Sequence, residues 1–130
     1  MVSGEDYPID LTQCLNEEHG YNIVTPFDVQ GLGIVKGTVK RFSTEVKVPQ
    51  MGWNSIHNLK GELFEGIRDG AYMYLVHSYF VPNSTETVAN ANYDGSYSVA
   101  LQKDNFYGVQ FHPEKSSKAG SRLLQNFLAL

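Results

Sequence analysis

The length, composition and charge of the chain exclude several classes of protein. Its 130 residues suffice for one hydrophobic core, and the content of 42% hydrophobic and 12% aromatic residues is typical of a folded domain. A net charge of −4 with scattered basic residues argues against a nucleic-acid partner. The single cysteine, Cys14, excludes an internal disulfide. With no apolar leader and no run of membrane-spanning length, it favours a reducing, cytoplasmic location.

The N-terminal quarter of the chain differs in pattern from the rest. Neither helical nor strand periodicity persists through the first thirty residues, so residues 1–30 are interpreted as an atypical segment that precedes the region 31–130. Further on, apolar residues alternate with polar ones at 38–42 and 45–48. This alternation predicts two strands joined by a turn.

The middle of the chain contains the most apolar segment. Residues 72–81, YMYLVHSYFV, form an almost unbroken apolar and aromatic run of strand length. Such a run predicts a central strand that is covered on both faces. Before it, residues 59–67 predict a short helix or turn that buries Leu63, Phe64 and Ile67, although two glycines weaken a helix there.

The last third of the chain predicts a meander followed by a helix. Asp94-Gly95 and Asp104-Asn105 are dipeptides that suit tight turns, and they separate three short strand-like runs, at 87–92, 96–102 and 106–111. Ser116 is a candidate N-cap for an amphipathic helix over 116–130. The helical spacing predicts an inward face, made of Ala119, Leu123, Leu124, Phe127 and Leu128.

A histidine and a glutamate lie where the last strand ends. Pro113 favours an extended backbone at His112, and Glu114 follows close enough for its carboxylate to accept a hydrogen bond from one ring nitrogen. That bond fixes the tautomer in which the other nitrogen can take a proton, so the pair can act as a general base with its orienting acid. The positive end of the following helix dipole favours an ionised Glu114. Alternatively, both residues only decorate a turn between strand and helix.

Three stretches of this sequence resemble one enzyme family. GVQFHPEKS at 108–116, followed by a helix with LLQNFL, resembles the C-terminal signature of class I, triad-type glutamine amidotransferases, which use Cys, His and Glu. VPQMGWN at 48–54 and YLVHSY at 74–79 resemble stretches of the glutaminase subunits of imidazole glycerol phosphate synthases. The resemblance covers about Gly31 to Leu130.

The resemblance implies both a fold and a reaction. It implies an α/β, flavodoxin-like amidotransferase domain, with 31–130 as mainly its C-terminal half: a mixed sheet with an antiparallel meander and a C-terminal helix. It implies hydrolysis of glutamine to glutamate and ammonia without a cofactor or a metal. The ammonia passes to a cyclase subunit, the expected heterodimer partner, in histidine biosynthesis.

The resemblance also implies roles for individual residues. His112 deprotonates a cysteine thiol and then protonates the departing ammonia, while Glu114 orients it. Ser78 and Tyr79 match positions beside the α-amino and carboxylate groups of glutamine, although ordinary strand packing is the alternative for both. Three residues match positions near the interface with the cyclase, namely Met51, Trp53 and Tyr74. For Trp53 a place in the core is the competing interpretation.

The expected nucleophile departs from the family pattern. The family places its cysteine in G-x-C-x-G, whose glycines permit a strained turn that aims main-chain N–H groups at the oxyanion. Cys14 is instead flanked by Thr12, Gln13, Leu15 and Asn16, with no glycine among them. It nevertheless precedes Trp53 by 39 positions (53 − 14), about the family's spacing. Three explanations are open: an altered or truncated chain that has lost this turn, which we favour, a divergent turn at Cys14, or an unrelated insertion. We therefore expect weak glutaminase activity from this chain alone.

Two alternative hypotheses place the chain in other classes of protein. The chain is alternatively an inactive remnant that only docks the cyclase. A third, weaker reading is a hydrolase whose metal is held by His77, His112 and Glu114. His77 lies within an apolar run and is interpreted as a structural core residue, whereas His19 and His57 have no partner at metal-ligand spacing and are interpreted as solvated.

Overall fold

The computed structural model describes residues 32–130. The predictions that concern residues 1–30, including Cys14 and His19, lie outside this range. A 3₁₀ turn spans Glu62–Phe64, a second spans Pro113–Lys115, and the helix α1 spans Ser117–Leu128. The strands are β1 (Lys40–Arg41), β2 (Gln50–Ser55), β3 (Tyr72–His77), β4 (Tyr79–Phe80), β5 (Thr87–Asn92), β6 (Ser96–Lys103) and β7 (Phe106–Val109).

The described strands form three small antiparallel sheets, β1–β4, β2–β3 and β5–β6–β7. In the β2–β3 ribbon, Trp53 lies opposite Tyr74 and Gln50 lies opposite His77. With the terminal helix packed against these sheets, the α/β fold class is confirmed. The predicted meander is also confirmed, with strand ends within two residues of those expected.

The turn chemistry of the meander explains why it was predictable. Gly95 has a φ of +98° and Asp104 a φ of +55°, both in the left-handed region where glycine and aspartate are tolerated. The chain can therefore reverse direction at both turns without a bulky residue in a strained conformation. The short element at 59–67 is also present as the first 3₁₀ turn, with Leu63 and Phe64 buried and Ile67 half-buried.

The strands expected at 38–42 and 45–48 are largely absent. Only Lys40–Arg41 forms a strand in the first, and 45–48 is irregular. The regular strand β2 begins just after Pro49, a residue that has no N–H for a β-ladder. Val46 and Val48 alternate because both pack against the core from this irregular segment.

The strand expected at 72–81 is shorter and covered on one face only. It ends at His77, and the chain resumes as β4 after a bend at Ser78. Alternate residues Met73, Leu75 and His77 are at most 1% exposed, whereas Tyr72 is 60% exposed. The prediction of burial on both faces was wrong. Tyrosine counts as apolar in a sequence pattern, but its hydroxyl allows the side chain to lie at a partly solvent-exposed surface.

The core lies between the β2–β3 ribbon, the meander and the start of α1. Ile56, Leu63, Met73, Leu75 and Tyr97 are among its fully buried side chains. The helix inserts Leu123 into this core, and Ala119 packs beside it. The wider inward face predicted for α1 is not observed, since three of its members are exposed, Leu124, Phe127 and Leu128. No helix within residues 32–130 is long and apolar enough to cross a membrane.

Candidate active site

His112 is held where β7 runs out into an extended segment. Phe111 is buried in the core, and the Gln110 N–H donates to the Val99 carbonyl at 2.9 Å, which continues the ladder past the end of the strand. The His112 N–H donates to the Tyr74 carbonyl at 3.0 Å. With φ −102° and ψ 98°, His112 has the extended backbone that Pro113 favours. The imidazole therefore starts from a main chain that is fixed against β3.

The side chains of His112 and Glu114 are hydrogen-bonded. His112 Nδ1 lies 3.1 Å from Glu114 Oε2, and the two side chains are 30% and 59% exposed. The 3₁₀ turn that begins at Pro113 brings the carboxylate back to the ring. When Nδ1 donates to this carboxylate, Nε2 of the neutral ring is left as a proton acceptor. The expected hydrogen bond is present, and the pair has the arrangement of a base and its orienter.

The exposed face of the β2–β3 ribbon lies next to this pair. We call the exposed or half-exposed side chains Met51, Trp53, Tyr72 and Tyr74 the ribbon surface. Trp53 and Tyr74 pack edge to face with ring centroids 5.9 Å apart. Trp53 is 52% exposed, so the alternative that placed it in the core was wrong. Tyr72 was not singled out from the sequence, although its i, i+2 relation to Tyr74 on a strand places both on one face.

Ser78 and Tyr79 lie beyond the end of β3, further along the chain from His112's contact with Tyr74. The Ser78 carbonyl accepts the Phe42 N–H at 3.1 Å. Tyr79 is buried, pairs with Arg41, and accepts a hydrogen bond from the His77 ring at its carbonyl oxygen. None of these described contacts joins Ser78 or Tyr79 to the His112 ring. The role of both residues beside glutamine therefore stays a prediction.

His77 is a buried structural residue, as expected from its place in the apolar run. Its Nδ1 donates to the Tyr79 carbonyl at 2.8 Å. Its Nε2 faces the Gln50 side-chain amide at 2.8 Å and the Tyr97 hydroxyl at 3.2 Å. Burial lowers the pKa of His77 to about 4, and the nearby His112 contributes in the same direction. Burial also raises the pKa of Tyr97, so both groups stay neutral near pH 7.

We expect the stability of the protein to fall between about pH 6.5 and 4 because of His77. In the unfolded chain this histidine takes up a proton near its ordinary pKa of 6.5, whereas in the fold it resists protonation until about pH 4. The unfolded state therefore binds more protons as the pH drops, and the full difference corresponds to about 3 kcal/mol. Denaturant unfolding at several pH values measures the free energy of unfolding across this range. His77→Gln, which cannot titrate, should flatten the profile; an unchanged slope in that variant would contradict the assignment.

His57 forms a second histidine contact that was not expected. Its Nε2 lies 2.9 Å from the Ser55 hydroxyl and its Nδ1 3.4 Å from the Asp69 carboxylate, which also accepts the Asn58 N–H at 2.6 Å. The His57 side chain is 46% exposed, so it is solvated as expected and also hydrogen-bonded. Within residues 32–130 no three His, Cys, Asp or Glu side chains are grouped to hold a metal ion. This finding argues against the metal-hydrolase reading.

Comparison with known protein families identifies the chain. Residues 12–130 match the family described as Glutamine amidotransferase class-I. The chain belongs to the class I glutamine amidotransferase family. The matched range begins before Gly31 and includes Cys14. The resemblance on which the sequence interpretation rested is thus confirmed.

Among class I amidotransferases, the chain is similar to proteins named imidazole glycerol phosphate synthase subunit HisH. It is 48% identical over 118 residues to that of Bacteroides fragilis, an alignment that covers 85% of this chain and 60% of the relative. The subunit of Vibrio cholerae is 50% identical over 104 residues, with coverages of 78% and 51%. For Escherichia coli K12 the values are 50% over 101 residues, 76% and 52%. The chain spans between half and 60% of the length of these relatives.

Proposed function

We propose that this chain is the glutaminase component of an imidazole glycerol phosphate synthase, hydrolysing glutamine and passing ammonia to a cyclase subunit. The observation that carries the proposal is the His112–Glu114 hydrogen bond of 3.1 Å beside the ribbon surface. It occurs in a class I amidotransferase with 48–50% identity to HisH subunits. In this proposal the chain and the cyclase subunit form a heterodimer in the cytoplasm, and the lyase activity belongs to that complex.

The proposed chemistry uses His112 as a proton acceptor and as a proton donor in successive steps. Nε2 takes the thiol proton of Cys14, and the thiolate attacks the side-chain amide carbon of glutamine. The C–N bond of the resulting tetrahedral adduct breaks, and the imidazolium gives its proton to the departing ammonia. Water, deprotonated by the same nitrogen, then hydrolyses the thioester to glutamate. Glu114 keeps the ring in the required tautomer and stabilises its positive charge. Main-chain groups at Ser78 and Tyr79 are the proposed contacts to glutamine.

The ribbon surface is the proposed contact with the cyclase. It exposes aromatic and methionine side chains, the residue types enriched in protein interfaces. Tyr74 belongs to this surface and its carbonyl also accepts the His112 N–H, so a partner seated there lies next to the reacting group. Ammonia released at this position has a short route into the partner without crossing bulk water.

The test is glutamine hydrolysis by the full chain with and without a cyclase subunit. We expect glutamate and ammonia to form at a rate that rises with cyclase concentration and saturates as the complex fills. Ammonia captured by the cyclase should appear in its product with little escape to the medium. A chain that binds the cyclase and yet releases no glutamate at saturation would overturn the glutaminase assignment.

A second candidate function is a cyclase-docking module without glutaminase activity. The observation that favours it is the sequence around Cys14, where Thr12 and Asn16 stand in place of the glycines of the family's nucleophile turn. An electrophilic glutamine analogue discriminates between the two. The glutaminase proposal predicts selective labelling of Cys14 that requires an intact His112, and the docking module predicts binding to the cyclase with no such labelling.

A further inference from the structure

Tyr74 connects the ribbon surface to the histidine. Its N–H donates to the Ser116 hydroxyl at 2.9 Å and its carbonyl accepts the His112 N–H at 3.0 Å. In an antiparallel pair the N–H and C=O of one residue point to the same side. Both main-chain groups of Tyr74 therefore point away from Trp53 on β2 and towards the segment that carries His112.

Ser116 closes a ring of hydrogen bonds with these two residues. Its hydroxyl accepts from the Tyr74 N–H and donates to the His112 carbonyl at 2.7 Å. The residue is 1% exposed and stands at the N-cap position of α1, yet its side chain makes no capping hydrogen bond. A serine at this position ordinarily caps the helix. Here the hydroxyl instead joins β3 to the residue before the turn, through its hydrogen bonds with Tyr74 and His112.

The ring of hydrogen bonds fixes the main chain from which the base extends. The described contacts of the His112 imidazole include one polar partner, the half-exposed Glu114. The position of the imidazole therefore depends on the His112 backbone. The His112 N–H is hydrogen-bonded to Tyr74, and the His112 carbonyl is hydrogen-bonded to Ser116. Loss of the Ser116 hydroxyl removes the acceptor of the Tyr74 N–H and the donor to the His112 carbonyl together.

We infer that Ser116 is a positioning residue that holds the His112–Glu114 pair in register with the strand that carries the ribbon surface. The inference rests on the proposed function and extends it to a residue that touches neither glutamine nor the cysteine. It also gives a physical route by which a partner seated on Tyr74 steadies the base. A shift of about 1 Å in a reacting group is enough to slow a reaction by about a hundredfold.

The kinetic test compares Ser116→Ala with Ser121→Ala in the full chain bound to the cyclase. We expect Ser116→Ala to lower kcat by about 10- to 100-fold with KM for glutamine changed by less than about twofold, because alignment of the base is lost and glutamine binding is kept. Ser121 is exposed on the same helix, and its variant should match the wild type. Ser116→Cys keeps a weak donor and acceptor of similar shape, so its kcat should lie between those of Ser116→Ala and the wild type.

A second readout does not depend on turnover. Nitrogen NMR shifts of the His112 ring report which nitrogen holds the proton. We expect the wild type to carry it on Nδ1 and Ser116→Ala to show a mixture of tautomers, with faster amide exchange at Tyr74. An unchanged tautomer and exchange rate in Ser116→Ala, or a kcat that falls by less than about twofold, would overturn the inference. If the wild type itself shows no glutamine turnover, the proposed function fails, and the ring and amide measurements still decide the role of Ser116.

Discussion

Replacing His112 with alanine is expected to lower kcat for glutamine hydrolysis in the cyclase complex by about 10²- to 10⁴-fold, the usual contribution of a general acid and base. In the proposed mechanism the ring is the proton acceptor for the thiol and the donor for ammonia. Among the described contacts, Glu114 is the titratable side chain hydrogen-bonded to the ring. The side chain is 30% exposed, so its removal leaves no buried cavity. Affinity for the cyclase and the KM for glutamine should therefore stay near their wild-type values.

Two companion variants make the His112 prediction specific. His57→Ala removes the other half-exposed histidine with a carboxylate neighbour, Asp69, and should leave kcat unchanged. Glu114→Gln loses the negative charge that stabilises the imidazolium, and its amide N–H can donate to Nδ1 and favour the wrong tautomer, so we expect kcat to fall by as much as about 10⁴-fold. Steady-state rates of glutamate formation measure all three. Wild-type turnover in His112→Ala would remove this residue from the mechanism.

The part of the site that the sequence predicted is its local part. His112 and Glu114 are two residues apart, and Pro113 between them restricts the backbone enough to set their geometry. The contact that fixes their main chain joins Tyr74 to Ser116, 42 residues apart in sequence. A serine before a helix predicts an N-cap, and nothing local indicates that its hydroxyl serves a distant strand. Long-range partners of this kind were therefore missed.

The same division applies to the fold. The meander was predictable because its turns are encoded locally by Asp94-Gly95 and Asp104-Asn105. The strand β2 was missed because Gln50 and Asn54 interrupt its apolar pattern, and it is paired by contacts with β3 rather than by its own propensity. On its buried face Gln50 meets His77 and Tyr97, a polar network that composition does not reveal. Which face of β3 meets solvent likewise depends on what the ribbon packs against.

Gly120→Ala is expected to destabilise the protein by about 3 kcal/mol, at the upper end of the cost of overpacking a core. Gly120 lies in the first turns of α1, against the 3₁₀ turn that carries Glu114. A Cβ there would overlap the Pro113 carbonyl oxygen and lie 2.8 Å from the Ser116 Cβ. Helix propensity alone predicts the opposite sign, because alanine is better than glycine in a helix by about 1 kcal/mol. The contact with main-chain atoms decides the outcome, since a carbonyl oxygen cannot move aside as a flexible side chain can.

Denaturant unfolding of Gly120→Ala and Ser121→Ala separates these two effects. Ser121 is the next residue on the same helix and is exposed, so its substitution should change the free energy of unfolding by less than about 0.5 kcal/mol. Either α1 or the Pro113 turn must shift to admit the methyl group of Ala at 120, and a shift of the turn carries the His112–Glu114 pair with it. Glutamine turnover should therefore fall in Gly120→Ala even at temperatures where the variant stays folded. A variant as stable as the wild type would show that helix and turn are not in close contact at this point.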